Sequence, residues 1–222
     1  MAAPHDTCSE YSPGEEIANS ITHGIGTLLA IGGLGVLSAY AGTRGNTWHI
    51  VTCSVFGATL IFSYLTSTLY HSIQHVSAKN ILRTLDHAAI FLLIAGTYTP
   101  ITLISMHGPW GWTIFGVVWG LALVGIICET TFAKNMGVLR VATYIAMGWV
   151  VVIAARPLMA GLAPGGLLLL VLGGLAYTGG VVFYAWDRLP YNHAIWHLFV
   201  LAGSTMHFFA ILWYVIPDKV LT

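Results

Sequence analysis

Charge is scarce in this chain: of its 222 residues only 8 are Lys or Arg and 8 are Asp or Glu, 7% in all, where soluble domains carry about 25%. A water-facing globule with so little charge would expose a mostly apolar surface, which water penalises and hydrocarbon accepts. The formal net charge is +0 and no basic cluster occurs, which excludes a phosphate-binding face for nucleic acid. Cysteine is scarce too. Cys8, Cys53 and Cys128 are odd in number and none lies in a C-x-x-C pair, so neither a disulfide framework nor a thiolate zinc site is expected. What remains is a chain that is 57% hydrophobic, with a mean hydropathy of +0.80. Its solvent is a lipid bilayer.

A helical crossing of the bilayer core needs about 20 mostly apolar residues. Seven such runs are present, at about 21–41, 49–70, 85–105, 111–128, 141–155, 165–185 and 193–216. The fifth is short and is expected to end at Arg156-Pro157. Runs of this length exclude a membrane β-barrel, and the short connections force neighbours to be antiparallel. The expected fold is therefore all-α, a seven-transmembrane-helix bundle forming one membrane domain over 16–216, between a polar N-terminal tail, 1–15, and a short C-terminal tail, 217–222. The N-terminal tail has no Lys or Arg and no small-residue cleavage site, so it does not read as a secretory signal. Seven spans place Lys79, Arg83, Lys134, Arg140 and Arg188 on the side of the N-terminus, and Arg44, Arg156 and Lys219 on the other. That imbalance predicts a cytoplasmic N-terminus.

Ionisable groups in or beside membrane spans are costly and mark function by default. Ten histidines are unusually many beside so few charges. Ser67 and His71 lie four apart at the end of the second run, Asp86 opens the third, and His193 and His197 lie four apart at the start of the seventh. With seven alternating spans all of these meet at one end of the bundle. Residues at i and i+4 share a helix face, so His193 and His197 can bind one ion. A third imidazole, from His71, completes the usual three-ligand catalytic arrangement with an open position for water. Asp86 returns to the same place as a fourth ligand or, preferably, as the carboxylate that holds and deprotonates a water. Ser67, one turn from His71, can hydrogen-bond that water, a developing oxyanion or a carboxylate. Glu16, Asn19 and His23 form one stripe on the first helix and are expected to support the ligating imidazoles. Three imidazoles and a carboxylate suit zinc, iron or manganese.

Other polar residues carry blander expectations. A lone His-x-x-x-His at a helix end is most often a pair of interfacial imidazoles. His75 enters a polar loop, and His87 points about 100° away from Asp86 on an ideal helix, so both are left outside the site. Glu129 is expected in the headgroup zone, and His207 as a buried, hydrogen-bonded helix contact. Pro100 and Pro157 suggest kinks or span ends.

The string Glu15-Glu16-Ile17-Ala18-Asn19-Ser20-Ile21-Thr22-His23-Gly24 resembles the N-terminal signature of the hemolysin III group of the progestin and adipoQ receptor superfamily. Ser67-x-x-x-His71, Leu85-Asp86-His87, Ala95-Gly96-Thr97-Tyr98-Thr99-Pro100 and His193-x-x-x-His197 follow in that family's order and spacing, from about Glu15 to Ile216. The resemblance implies seven helices, a cytoplasmic N-terminus and zinc near the cytoplasmic face. By similarity to the adiponectin receptors of that superfamily, His71, His193 and His197 are the implied zinc ligands, with Asp86 on a water and Ser67 beside it. The superfamily also resembles alkaline ceramidases, which implies hydrolysis of a lipid amide. The expected partners are membrane lipids, with no nucleic acid and no obligate protein partner, and the expected location is a bacterial inner membrane.

Three other functions compete. A non-catalytic sensor or homeostasis protein would use zinc to tie helix ends together. A pore-forming cytolysin would need a polar stripe through the full depth of the spans, whereas the ionisable residues here gather at one end. A di-iron lipid desaturase would need about twice as many metal ligands.

Overall fold

The computed structural model describes residues 11–132 and 137–216, so Cys8, Lys134, Lys219, the first ten residues of the N-terminal tail and the whole C-terminal tail lie outside the described residues. Among the described residues the chain is helical, with no strand, and seven helical stretches are long and apolar enough to cross a membrane. They are α1 (Pro13–Arg44), α2 (Thr47–Ser72), α3 (Val76–Pro100) with a π-helical extension (Ile101–Met106), α4 (Gly108–Phe132), α5 (Gly137–Trp149) joined to α6 (Ala155–Gly161) through a 3-10 segment (Val150–Ala154), α7 (Pro164–Tyr184), and α8 (Asn192–Ala210) with a π-helical end (Ile211–Val215).

Several helices reach beyond the apolar runs because polar side chains cap them. Ser12 and Glu15 form a reciprocal capping box with Pro13 at the first helical position, so α1 begins eight residues before its apolar run and carries Glu16, Asn19 and His23 on its first turns. Asn46 caps α2, its Oδ1 accepting from the backbone N–H of Trp48 at 2.9 Å and of His49 at 3.4 Å. His75 caps α3 in the same way, its Nδ1 accepting from the N–H of Ala78 at 3.5 Å. Each cap satisfies amide donors that the helix itself leaves without partners.

The fifth span does not stop at Arg156-Pro157. It passes through the 3-10 segment and resumes as α6, with Pro157 in the first turn, where a missing N–H breaks no intrahelical bond. Pro100 likewise ends no span, since the helix continues as a π turn.

Consecutive helices pack side by side, α1 on α2, α2 on α3 and α7 on α8, and α1 also meets α8. The third span is the central one: 78% of its apolar window is buried, against 17–50% for the other six. Leu28, Leu29, Val138 and Ile153 are among the large apolar side chains left on the outside, as a lipid-facing surface requires. At Gly96 a Cβ would collide with Thr59, so the missing side chain is what lets α2 and α3 approach closely.

Candidate metal centre

The last turn of α2 and the first two turns of α8 meet at the end of the bundle where α1 begins. There His71, His193 and His197, all inside the protein, place a ligating nitrogen each within 4.8 Å of the others. Their ring centroids lie 5.1 Å apart for His71–His193, 5.4 Å for His71–His197 and 4.5 Å for His193–His197.

Each ring is held by its Nδ1. His71 Nδ1 donates to Glu16 Oε2 at 2.6 Å, with Asn19 Nδ2 3.5 Å from the same nitrogen. His197 Nδ1 is 3.1 Å from Thr22 Oγ1. The single hydroxyl hydrogen of Thr22 is directed to the carbonyls of Ala18 and Asn19, both at 2.9 Å, so Thr22 accepts from His197. His193 Nδ1 pairs with the Tyr11 hydroxyl at 3.1 Å. For His71 and His197 this leaves the proton on Nδ1 and the lone pair on Nε2, the tautomer a metal ligand needs. Nε2 of His71 and of His193 are buried and have no hydrogen-bond partner. Buried polar atoms are rarely left in that state, and three convergent imidazole nitrogens fit a borderline cation such as zinc.

Glu16 is itself neutralised. Lys79 Nζ lies 2.6 Å from Glu16 Oε1 and donates to the Tyr70 carbonyl at 3.1 Å. Lys79 is 2% exposed and Glu16 4%, so one buried carboxylate bridges an ammonium and the His71 imidazole.

Asp86, on α3, and Ser67, on α2, do not join the three-imidazole group. They share the wall of an adjoining cavity of about 140 Å³ with His193 and His197, and Asp86 lies close to Ser67 and His71. Ile90, Leu93, Val141 and Val200 continue that wall with apolar surface. His23 also faces the cavity but supports by stacking: its ring lies parallel to that of His197, with centroids 3.5 Å apart and 11° between planes, and neither of its nitrogens has a partner.

A second polar cluster lies inside the protein. Glu129 is 1% exposed, enclosed by the protein, where Arg140 Nε at 2.7 Å and His87 Nδ1 at 3.0 Å both bind its carboxylate. The Tyr144 hydroxyl donates to the His87 carbonyl at 2.6 Å. These contacts join α3, α4 and α5 beside the same cavity.

Sequence reasoning overlooked Tyr11, Thr22 and Lys79. Thr22 stands next to His23 in the first-helix signature but reads as an ordinary helix threonine. Lys79 was available as a signal, since it is one of few cations and borders a span, where an ammonium needs a counter-ion.

The haemolysin-III-related family model matches residues 11–208. The chain is 47% identical to "Hemolysin-3" of Bacillus cereus, over 91% of this chain and 93% of that protein. It is 48% identical to a "Hemolysin-3 homolog" of Bacillus subtilis (strain 168), over 90% and 94% respectively. A more distant relative is the human "Monocyte to macrophage differentiation factor", 29% identical over 92% of this chain and 84% of that one. With seven apolar helices in its fold, the chain belongs to the haemolysin III family of multi-pass integral membrane proteins.

Proposed function

We propose that this protein is a zinc-dependent hydrolase of a lipid amide, with its site at the cytoplasmic face of a bacterial inner membrane. One observation carries the reading: three imidazoles, two of them held by Nδ1 so that Nε2 carries the lone pair, converge at the head of an apolar cavity whose wall includes Asp86 and Ser67. The residues that would hold the ion are His71, His193 and His197. Zinc, when bound, supplies Lewis acidity for the carbonyl and lowers the pKa of water.

The chain's own groups do the rest. Asp86 takes a proton from the attacking water and delivers it to the leaving nitrogen, so that water and an amide give a carboxylic acid and an amine, between which the acid proton then passes to leave a carboxylate and an ammonium. Ser67 donates to the carbonyl oxygen as negative charge develops there. The apolar walls hold the acyl chain and exclude bulk water. Lys79, Arg83 and Arg188 on the N-terminal side support a cytoplasmic position for that end.

A structural zinc in a non-catalytic sensor is the second reading, favoured by the way the imidazoles tie α2 to α8 with supports from α1. Metal analysis of detergent-purified protein, paired with a lipid-amide hydrolysis assay, separates the two. About one zinc per chain, lost in His193→Ala/His197→Ala but kept in Asp86→Asn while hydrolysis disappears, supports the hydrolase. Zinc retained with no hydrolysis by the native chain supports the sensor, and native protein prepared without chelator that holds no metal overturns both.

A further inference from the structure

The cavity does not end at the imidazoles. His193, His197, Val200, Ser204 and His207 follow heptad-like spacing down α8, and His207 lines the same cavity as His193 and His197. Ten residues of helix separate His197 from His207, which is about 15 Å along the axis. The wall between is apolar, with Leu93, Ile94 and Val200 among its residues.

His207 is fixed in an informative way. Its Nε2 lies 3.1 Å from the Leu170 carbonyl oxygen, and a carbonyl only accepts, so Nε2 carries a proton. In the neutral ring Nδ1 is then a bare acceptor, and it is buried without a partner. The ring is seated on Gly173, where a Cβ would collide with its Cδ2 and Nε2. Beside it, with ring centroids 5.5 Å away, is Tyr177. The Tyr177 hydroxyl is 2.6 Å from Ser204 Oγ, and the Tyr64 hydroxyl donates to that same Oγ at 2.7 Å. Three hydroxyls share two hydrogen bonds, so one hydroxyl hydrogen is left over. An unsatisfied acceptor on His207 and a spare donor in the hydroxyl group that includes its neighbour Tyr177 thus lie at the same end of the cavity.

We propose that this inner end of the cavity binds a hydroxyl group carried partway along the hydrocarbon chain of a lipid. His207 Nδ1 accepts the hydroxyl hydrogen, and the leftover O–H of the Tyr177–Ser204–Tyr64 group donates to the hydroxyl oxygen. A carbonyl does not fit, because it offers no hydrogen to Nδ1. The inference rests on the reading that the cavity holds a lipid chain, and it adds a hydroxylated chain as the ligand class. The cost of leaving a built polar site unmatched is what makes such sites discriminate.

The test is binding of stearate and of a positional series of monohydroxystearates to the full-length chain in detergent, read by displacement of a fluorescent fatty acid. At one stretch of chain positions the hydroxylated acid binds about 3- to 10-fold more tightly than stearate. His207→Leu and Gly173→Ala erase that preference. Tyr177→Phe, which keeps the ring and the packing, reduces the preference. Equal affinity across the series in the native chain overturns the hydroxyl site alone and leaves Nδ1 to an ordered water. Failure to bind any of the acids overturns it together with the lipid-cavity reading.

Discussion

His71 Nδ1 and Glu16 Oε2 are 2.6 Å apart, joining the end of α2 to the start of α1 across 55 residues of sequence. The carboxylate orients the imidazole and fixes its tautomer, as supports of ligating histidines generally do. Glu16→Gln should therefore weaken zinc binding by about 10- to 100-fold, measured by competition against a chelating dye. Unchanged affinity would show that Glu16 does not act through His71.

Lys79 shares that carboxylate at 2.6 Å. Removing one partner of a buried ion pair strands the other, at a cost of about 3–5 kcal/mol, whereas replacing both with apolar groups is far milder. Glu16→Leu alone should lower the thermal unfolding temperature of metal-free protein, and Glu16→Leu with Lys79→Met should recover most of the loss. Additive losses in the pair would reject the coupling.

Thr22 offers a cleaner probe, because valine has nearly its shape. Thr22→Val removes the oxygen 3.1 Å from His197 Nδ1 and should reduce zinc affinity by at least about 10-fold with little change in unfolding temperature. A large loss of stability at unchanged zinc affinity would assign Thr22 to packing instead.

The Glu129–Arg140 pair, 2.7 Å between Oε2 and Nε, should behave as a structural clasp. Arg140→Met leaves Glu129 buried beside His87 alone and should destabilise by about 3–5 kcal/mol, while zinc content stays at the native level. Loss of zinc in folded Arg140→Met would connect this cluster to the metal centre.

Gly96 faces Thr59 where α2 and α3 approach. Gly96→Val should destabilise the bundle by about 1–3 kcal/mol or more from overpacking, and Thr59→Ala should relieve part of that cost. Unfolding midpoints in detergent for the two single variants and the double decide it.

The seven spans were legible because apolar runs of bilayer length have few alternatives in so uncharged a chain, and their odd number brought His71, Asp86, His193 and His197 to one end. Helix ends were less legible. Ser12 and His75 start helices in polar sequence by capping, which the apolar pattern does not register, and Pro157 looked like a stop because only the structure shows it in a first turn. The burial of Glu129 was not legible, because a carboxylate near a span end reads as solvated until its partners, 11 and 42 positions away, are known. The supports of the imidazoles were partly visible: Glu16 and Asn19 reach His71, but His23 stacks on His197, and the hydroxyls on His193 and His197 come from Tyr11 and Thr22, contacts spanning 182 and 175 residues.

Those long separations bear on how the protein is made. The imidazoles belong to the second and the last spans, and the groups that fix His71 and His197 belong to the first. During vectorial synthesis the centre is incomplete until the final helix has entered the bilayer and docked against the first. If the centre holds a metal as proposed, the ion is taken up only late in biogenesis, by a chain whose seventh span is in place and not by a truncated or misinserted precursor.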